Sequence, residues 1–97
     1  MPCQPVDAAV TVRLIGTTYV ATPETVPAGC VSVTLIGPGT ALVIDDVPGL
    51  IVTGGESRAA CLTRGRHAMY APIPGHRAQG LETAIRVARN PQSTCGG

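Results

Sequence analysis

The sequence predicts an all-β sandwich or barrel of about seven or eight short strands. Three observations carry that expectation. The apolar residues are mostly β-branched, joined by many Thr. Twelve glycines and nine prolines punctuate them, supplying turns. Segments of alternating hydrophobicity recur at even spacing, with no helical period between them.

The elements follow in order. Residues 8–15, AAVTVRLI, alternate as a strand and are broken by GTT. Residues 19–29, YVATPETVPAG, hold two prolines and end in Gly, which predicts an irregular edge strand and a turn. Residues 30–36, CVSVTLI, place Val31, Val33 and Leu35 on one face and Ser32, Thr34 and Ile36 on the other. GPG at 37–39 is a turn, and ALVI at 41–44 reads as a short buried strand. DDVPG turns into LIVT at 50–53, and GGES turns again. RAACLT at 58–63 and RHAMYA at 66–71 are separated by a tight RG turn. TAIRV at 83–87 is the last strand, followed by a polar, Gly-containing tail over 89–97.

At 97 residues the chain is read as one domain, 1–97. Its core is modest and poor in large side chains: there is no Phe or Trp, and only Tyr19 and Tyr70 are aromatic. All seven basic residues are Arg, and they are spread along the chain around a net charge of +1. A nucleic-acid binder concentrates charge and adds stacking aromatics, so nucleic acid is not an expected partner. No apolar run reaches the length of a membrane-crossing helix, so no membrane span is expected.

Four cysteines at 3, 30, 61 and 95 lack the C-x-x-C spacing of zinc or redox sites. An even number, widely spaced in a small domain, reads as two disulfides and an oxidising compartment: secreted, periplasmic or cell-surface. Three pairings exist and spacing does not choose among them. We favour Cys3–Cys95, which would tie the chain ends, and with it Cys30–Cys61. No signal peptide is visible, which a mature or trimmed chain with an added Met1 would explain, and Cys3 offers a lipidation site as an alternative reading.

Three stretches together resemble the cupredoxins, the plastocyanin-like blue-copper fold. YVATPETVPAGCVSVTLIG at 19–37 is similar to the family's segment of an aromatic, a proline, then an alternating strand. RGRHAMYA at 64–71 is similar to the strand that leads to the copper cysteine, and PGHRAQGLETAIRV at 74–87 to the ligand loop and closing strand. The similarity spans about residues 15–88 and implies a Greek-key β-sandwich. It also implies that Cys30 and Cys61 stand on antiparallel neighbours, which would allow a bond between them.

The family's copper site needs an upstream His, a Cys, a second His and an axial Met. By resemblance the second His is His76. The Cys falls at Ala71, the Met at Leu81, and the upstream His at Thr40 or Ala41. No His precedes His67 anywhere in the chain. Thr83 also replaces a family glycine. The expectation is therefore a degenerate member with no copper or other cofactor. An alternative uses His76 with His67 or Met69 in a weak, non-blue copper site.

His76 otherwise reads as a turn histidine, His67 as a packed histidine with its nitrogens satisfied, and Met69 as core filler. Asp45 and Asp46 read as a solvated turn rather than an acid–base pair, because adjacent strand residues face opposite ways. Arg64, Arg66, Arg77 and His76 are expected to form one partner surface. Two histidines in these contexts build no hydrolase triad, so no enzyme is expected. The function expected is a copper-free binding or structural module that recognises an unknown protein or surface partner through loops 37–49 and 71–81.

Overall fold

A computed structural model describes residues 3–92 and 95; Met1 and residues 93, 94, 96 and 97 of the expected tail lie outside the described residues. The strands are β1 (Ala8–Ile15), β2 (Thr18–Thr22), β3 (Thr25–Pro27), β4 (Gly29–Ile36), β5 (Ala41–Ile44), β6 (Ile51–Thr53), β7 (Ser57–Leu62), β8 (Gly65–Tyr70) and β9 (Glu82–Ala88). They form a four-stranded sheet ordered β2-β1-β4-β7 and a five-stranded sheet ordered β3-β9-β8-β5-β6. Most neighbours are antiparallel, but β1 with β4 and β3 with β9 are parallel.

The count is nine because residues 19–29 divide. β2 closes the edge of the first sheet and β3 closes the edge of the second. Pro23 lies between them. The edge character expected of this segment therefore holds in both sheets. Prolines sit here because an edge strand has a backbone side that needs no ladder bond.

Alternation places the core as expected. Val31, Val33 and Leu35 of β4 and Val10 and Val12 of β1 face Leu42, Val52, Met69, Ile85 and Val87 across the sandwich, all at most 1% exposed. Tyr19 is the one buried aromatic. Aliphatic side chains thus do the packing that aromatics do in richer cores.

The disulfides differ from the expected pairing. Cys3 bonds Cys30 and Cys61 bonds Cys95; neither Cys3–Cys95 nor Cys30–Cys61 forms. The neighbour relation itself is correct, since Cys30 stands directly opposite Cys61 in the β4–β7 register. A local clamp explains the choice. The backbone N–H of Asp7 donates to the Cys30 carbonyl at 2.7 Å, and the Cys30 N–H donates to Asp7 Oδ2 at 2.8 Å. This holds the N-terminal segment over Cys30 and brings the Cys3 Cα within 5.6 Å of the Cys30 Cα, inside disulfide range. Each end of the chain is thus stapled to the first sheet rather than to the other end. Sequence separations of 27 and 34 residues give each bond about 3.5–4 kcal/mol in the chain-entropy model.

Candidate functional site

β5, β8 and β9 are neighbours in the second sheet, and their registers bring three of the sequence-predicted positions to one end of it. Val43 pairs with Tyr70, and Tyr70 with Glu82. Just beyond those pairs, the Ala71 N–H donates to the Leu81 carbonyl at 3.0 Å. Ala71 is 3% exposed and Leu81 6%, and both belong to the main core cluster. Ala71 continues the inward set of His67 and Met69 on β8. This end of the sheet is therefore hydrocarbon continuous with the core, at the positions that the resemblance assigns to the family's thiolate and thioether.

Ala41 needs a refinement. Leu42 and Ile44 are the buried residues of β5, so Ala41 lies on the opposite parity. Thr40, the other candidate for the upstream position, has its Oγ1 donating to the Gly37 carbonyl at 2.6 Å. The Ala41 carbonyl instead accepts the Tyr19 hydroxyl at 2.8 Å. That bond joins the first sheet's edge strand to the start of β5. Gly54 helps fix the same end: its N–H donates to the Thr40 carbonyl at 3.0 Å, and a Cβ there would collide with the Gly37 carbonyl oxygen.

His76 sits in the 71–81 loop as the residue before a single 3₁₀ turn, Arg77–Gln79. Its carbonyl accepts from the N–H groups of Gln79 (3.1 Å) and Leu81 (3.2 Å). Gly80, at φ 107°, closes the turn in the left-handed region that favours glycine. The His76 ring is half-buried, and its Nδ1 is buried with no hydrogen-bond partner among the described residues. The donor set for copper is therefore one imidazole nitrogen beside Ala71 and Leu81. That set does not fit the trigonal thiolate site of a blue-copper centre.

His67 is 4% exposed. Its Nδ1 contacts Asp46 Oδ1 at 2.8 Å and its Nε2 contacts the Thr63 carbonyl at 2.6 Å. Both ring nitrogens are therefore engaged by oxygen partners. Asp46 is thus more than the solvated turn expected from sequence. Its carboxylate, 54% exposed, anchors the buried ring. Met69 is fully buried on the same face as His67. His76 lies beyond the opposite end of β8 from His67, in the loop after Tyr70.

The expected surface of Arg64, Arg66, Arg77 and His76 is not one surface. The Arg77 guanidinium lies 4.2 Å over the Tyr70 ring and donates to Glu82 Oε2 at 2.9 Å. The Glu82 hydrogen bond holds the Arg77 pKa above its ordinary value. Arg66 and Arg64 lie toward the other end of β8, about 13 Å and 20 Å from Tyr70 by strand rise. Loop 37–49 divides for the same reason: β5 carries residues 45–49 to the far end from residues 37–40.

Among the described residues, the group of potential metal-ligating atoms within 4.8 Å of one another is the sulfurs of Cys3, Cys61 and Cys95. Each of these is held in a disulfide.

No protein-family model and no curated protein matches the sequence. Solved structures do match. Auracyanin B superposes with a TM-score of 0.65 at 16% identity, covering 89% of this chain and 92% of its own. Spinach plantacyanin gives 0.57 at 19%, covering 81% and 98%, and oxidised plastocyanin from Dryopteris crassirhizoma gives 0.51 at 17%, with the same coverage. The chain has the cupredoxin fold. A multicopper oxidase also matches, with a TM-score of 0.54 and 12% identity over 45% of its length. On this cupredoxin scaffold, Ala71, His76 and Leu81 fall in the loop and strand order read from the sequence. Two features escaped sequence reading: the Asp46–His67 anchor and the division of the arginines between two ends. Both depend on strand register, which composition and spacing do not encode.

Proposed function

We propose that this chain is a non-catalytic, copper-free cupredoxin-fold module that binds a partner through the end of the sandwich formed by residues 37–40 and 71–81. The single observation that carries the reading is the hydrocarbon pair at the ligand positions. Ala71 and Leu81 are buried, bonded to each other through the backbone, and continuous with the core. An electron carrier needs soft donors there. A packed scaffold needs what is present. Ile15, Ile36 and Ile73, between 40% and 59% exposed, belong to the strand ends and loop at this end and supply apolar contact area for a partner. Both disulfides suit work in an oxidising compartment, secreted, periplasmic or at the cell surface. Among the described residues no helix is long and apolar enough to cross a membrane.

One observation favours a second reading, weak metal handling without a blue centre: the buried, unpartnered Nδ1 of His76. His67 supports it less, since both its nitrogens are engaged. Met69 is sealed in the core.

Titrating the oxidised protein with Cu(II) and Cu(I) separates the readings. The proposal expects neither an intense blue band nor stoichiometric binding. A blue band overturns it. Tight, colourless Cu(I) binding that disappears in His76→Ala establishes the second reading instead.

A further inference from the structure

The open, shallow groove where β8 begins and β9 ends is lined by Arg64, Arg66, Arg86 and Arg89, together with Gly65, Val87 and Ala88. Four of the chain's seven arginines therefore converge on one depression, in a protein whose net charge is only +1. Register explains the convergence. Arg66 stands directly opposite Arg86 on the antiparallel pair β8–β9. Both are exposed, and alternation puts both on the outer face of the sheet. Arg64 and Arg89 flank that pair just outside the two strands. Gly65, the first residue of β8 at φ 136°, leaves the groove between Arg64 and Arg66 without a side chain.

This arrangement works against stability when empty. Like charges directly opposite on neighbouring strands repel. Of the three arginines elsewhere, two are paired with acids: Arg58 with Glu56 at 3.1 Å and Arg77 with Glu82 at 2.9 Å, while Arg13 stands alone on the first sheet among the described residues. In the groove no such pairing occurs among the described residues. Glu24 lies beside Arg86, its carbonyl accepting the Arg86 N–H at 2.8 Å, and Asp46 lies beside His67, but neither carboxylate makes an ion pair with any of the four. Six acidic residues were available, and none lines the groove.

We infer that the groove is an anion site for a small phosphate-bearing ligand with two or more negative charges. Guanidinium groups present paired N–H donors that match phosphate oxygens two at a time, and all four cations here are Arg. Neither tyrosine lines the groove, so it offers no stacking platform for bases. The site is at the opposite end of β8 from Ala71 and His76. It stands or falls independently of the copper-free reading.

Inorganic pyrophosphate is the probe. Calorimetry and thermal denaturation are run on the oxidised full chain at constant ionic strength, with sulfate and chloride as comparison anions. Saturable one-site binding of pyrophosphate is expected, with a melting temperature that rises with ligand concentration as binding to the native state requires. Arg66→Gln and Arg86→Gln are each expected to weaken binding by about tenfold or more, the loss of one charge-assisted contact. Arg13→Gln, on the other sheet, is expected to leave it unchanged. Without ligand, Arg66→Gln should melt at the same temperature as the parent or higher, because it relieves repulsion; this separates a lost site from a lost fold. The inference is overturned if pyrophosphate acts no more strongly than chloride at equal ionic strength, or if Arg13→Gln weakens binding equally. It is also overturned if only a long polyanion such as dextran sulfate binds, which would make the groove part of a macromolecular surface.

Discussion

Replacing Tyr19 by Phe removes one oxygen from the core and tests how the end of the sandwich at residues 37–41 is held. Tyr19 is 2% exposed, and its hydroxyl is the donor to the Ala41 carbonyl at 2.8 Å. Phe keeps the ring and its packing, so the cost comes from the hydrogen bond alone. A neutral hydrogen bond contributes about 1 kcal/mol, and the half-buried carbonyl left without its partner adds a fraction of its desolvation cost. Together they predict a loss of about 1–2 kcal/mol at neutral pH. For a domain of this size that lowers the melting temperature by roughly 4–16 °C. Urea denaturation should show a lower midpoint with an unchanged slope. A second arm uses pH. Burial raises the Tyr19 pKa above its ordinary 10.0, and the Thr40 hydroxyl pulls it partly back. The native state therefore holds this proton more tightly than the unfolded chain does. The resulting stability is fully present below pH 10.0 and is lost as pH rises through the native value. The gap between parent and Tyr19→Phe should thus narrow at alkaline pH, with Tyr70 common to both proteins. Equal midpoints at neutral pH, or a gap that stays constant well above pH 10, would refute the reasoning.

Two further outcomes follow from the packing and the staples. Leu81→Ala should cost about 2.5–5 kcal/mol in urea melts, because it opens a cavity between the 71–81 loop and the core. Leu81→Met, which conserves volume, should cost less than about 1.5 kcal/mol. Peptide mapping without reductant should recover Cys3 linked to Cys30 and Cys61 linked to Cys95. The double variant Cys61→Ser with Cys95→Ser should lose about 4 kcal/mol. Peptides joining Cys30 to Cys61 would contradict the Asp7 clamp.

The comparison of sequence with structure is clearest in β4. Its alternation of Val31, Val33 and Leu35 with Ser32 and Thr34 is legible in the letters, because a strand with one buried face must alternate. The inward set His67, Met69, Ala71 follows the same rule on β8. The frame of the 71–81 loop, with Ala71 and Leu81 at its ends around P-G-H-R-A-Q-G, was also legible. Asp46 was not. It lies 21 residues from His67, and only the β5–β8 register brings the carboxylate to the ring. The four-arginine groove was hidden for the same reason: Arg66 and Arg86 are 20 positions apart in the chain and face each other across one ladder.

By itself the sequence determined the class of fold, the buried face of the main strands and the absence of a cysteine from residues 71–81. Those properties are local, because side-chain alternation and turn chemistry act over a few residues. Only the tertiary structure decided which cysteines join, what Asp46 holds, and which arginines share a groove. These depend on which strands become neighbours and in what register. Register is set by the packing of the whole sandwich, where a shift of one residue would turn every inward side chain outward.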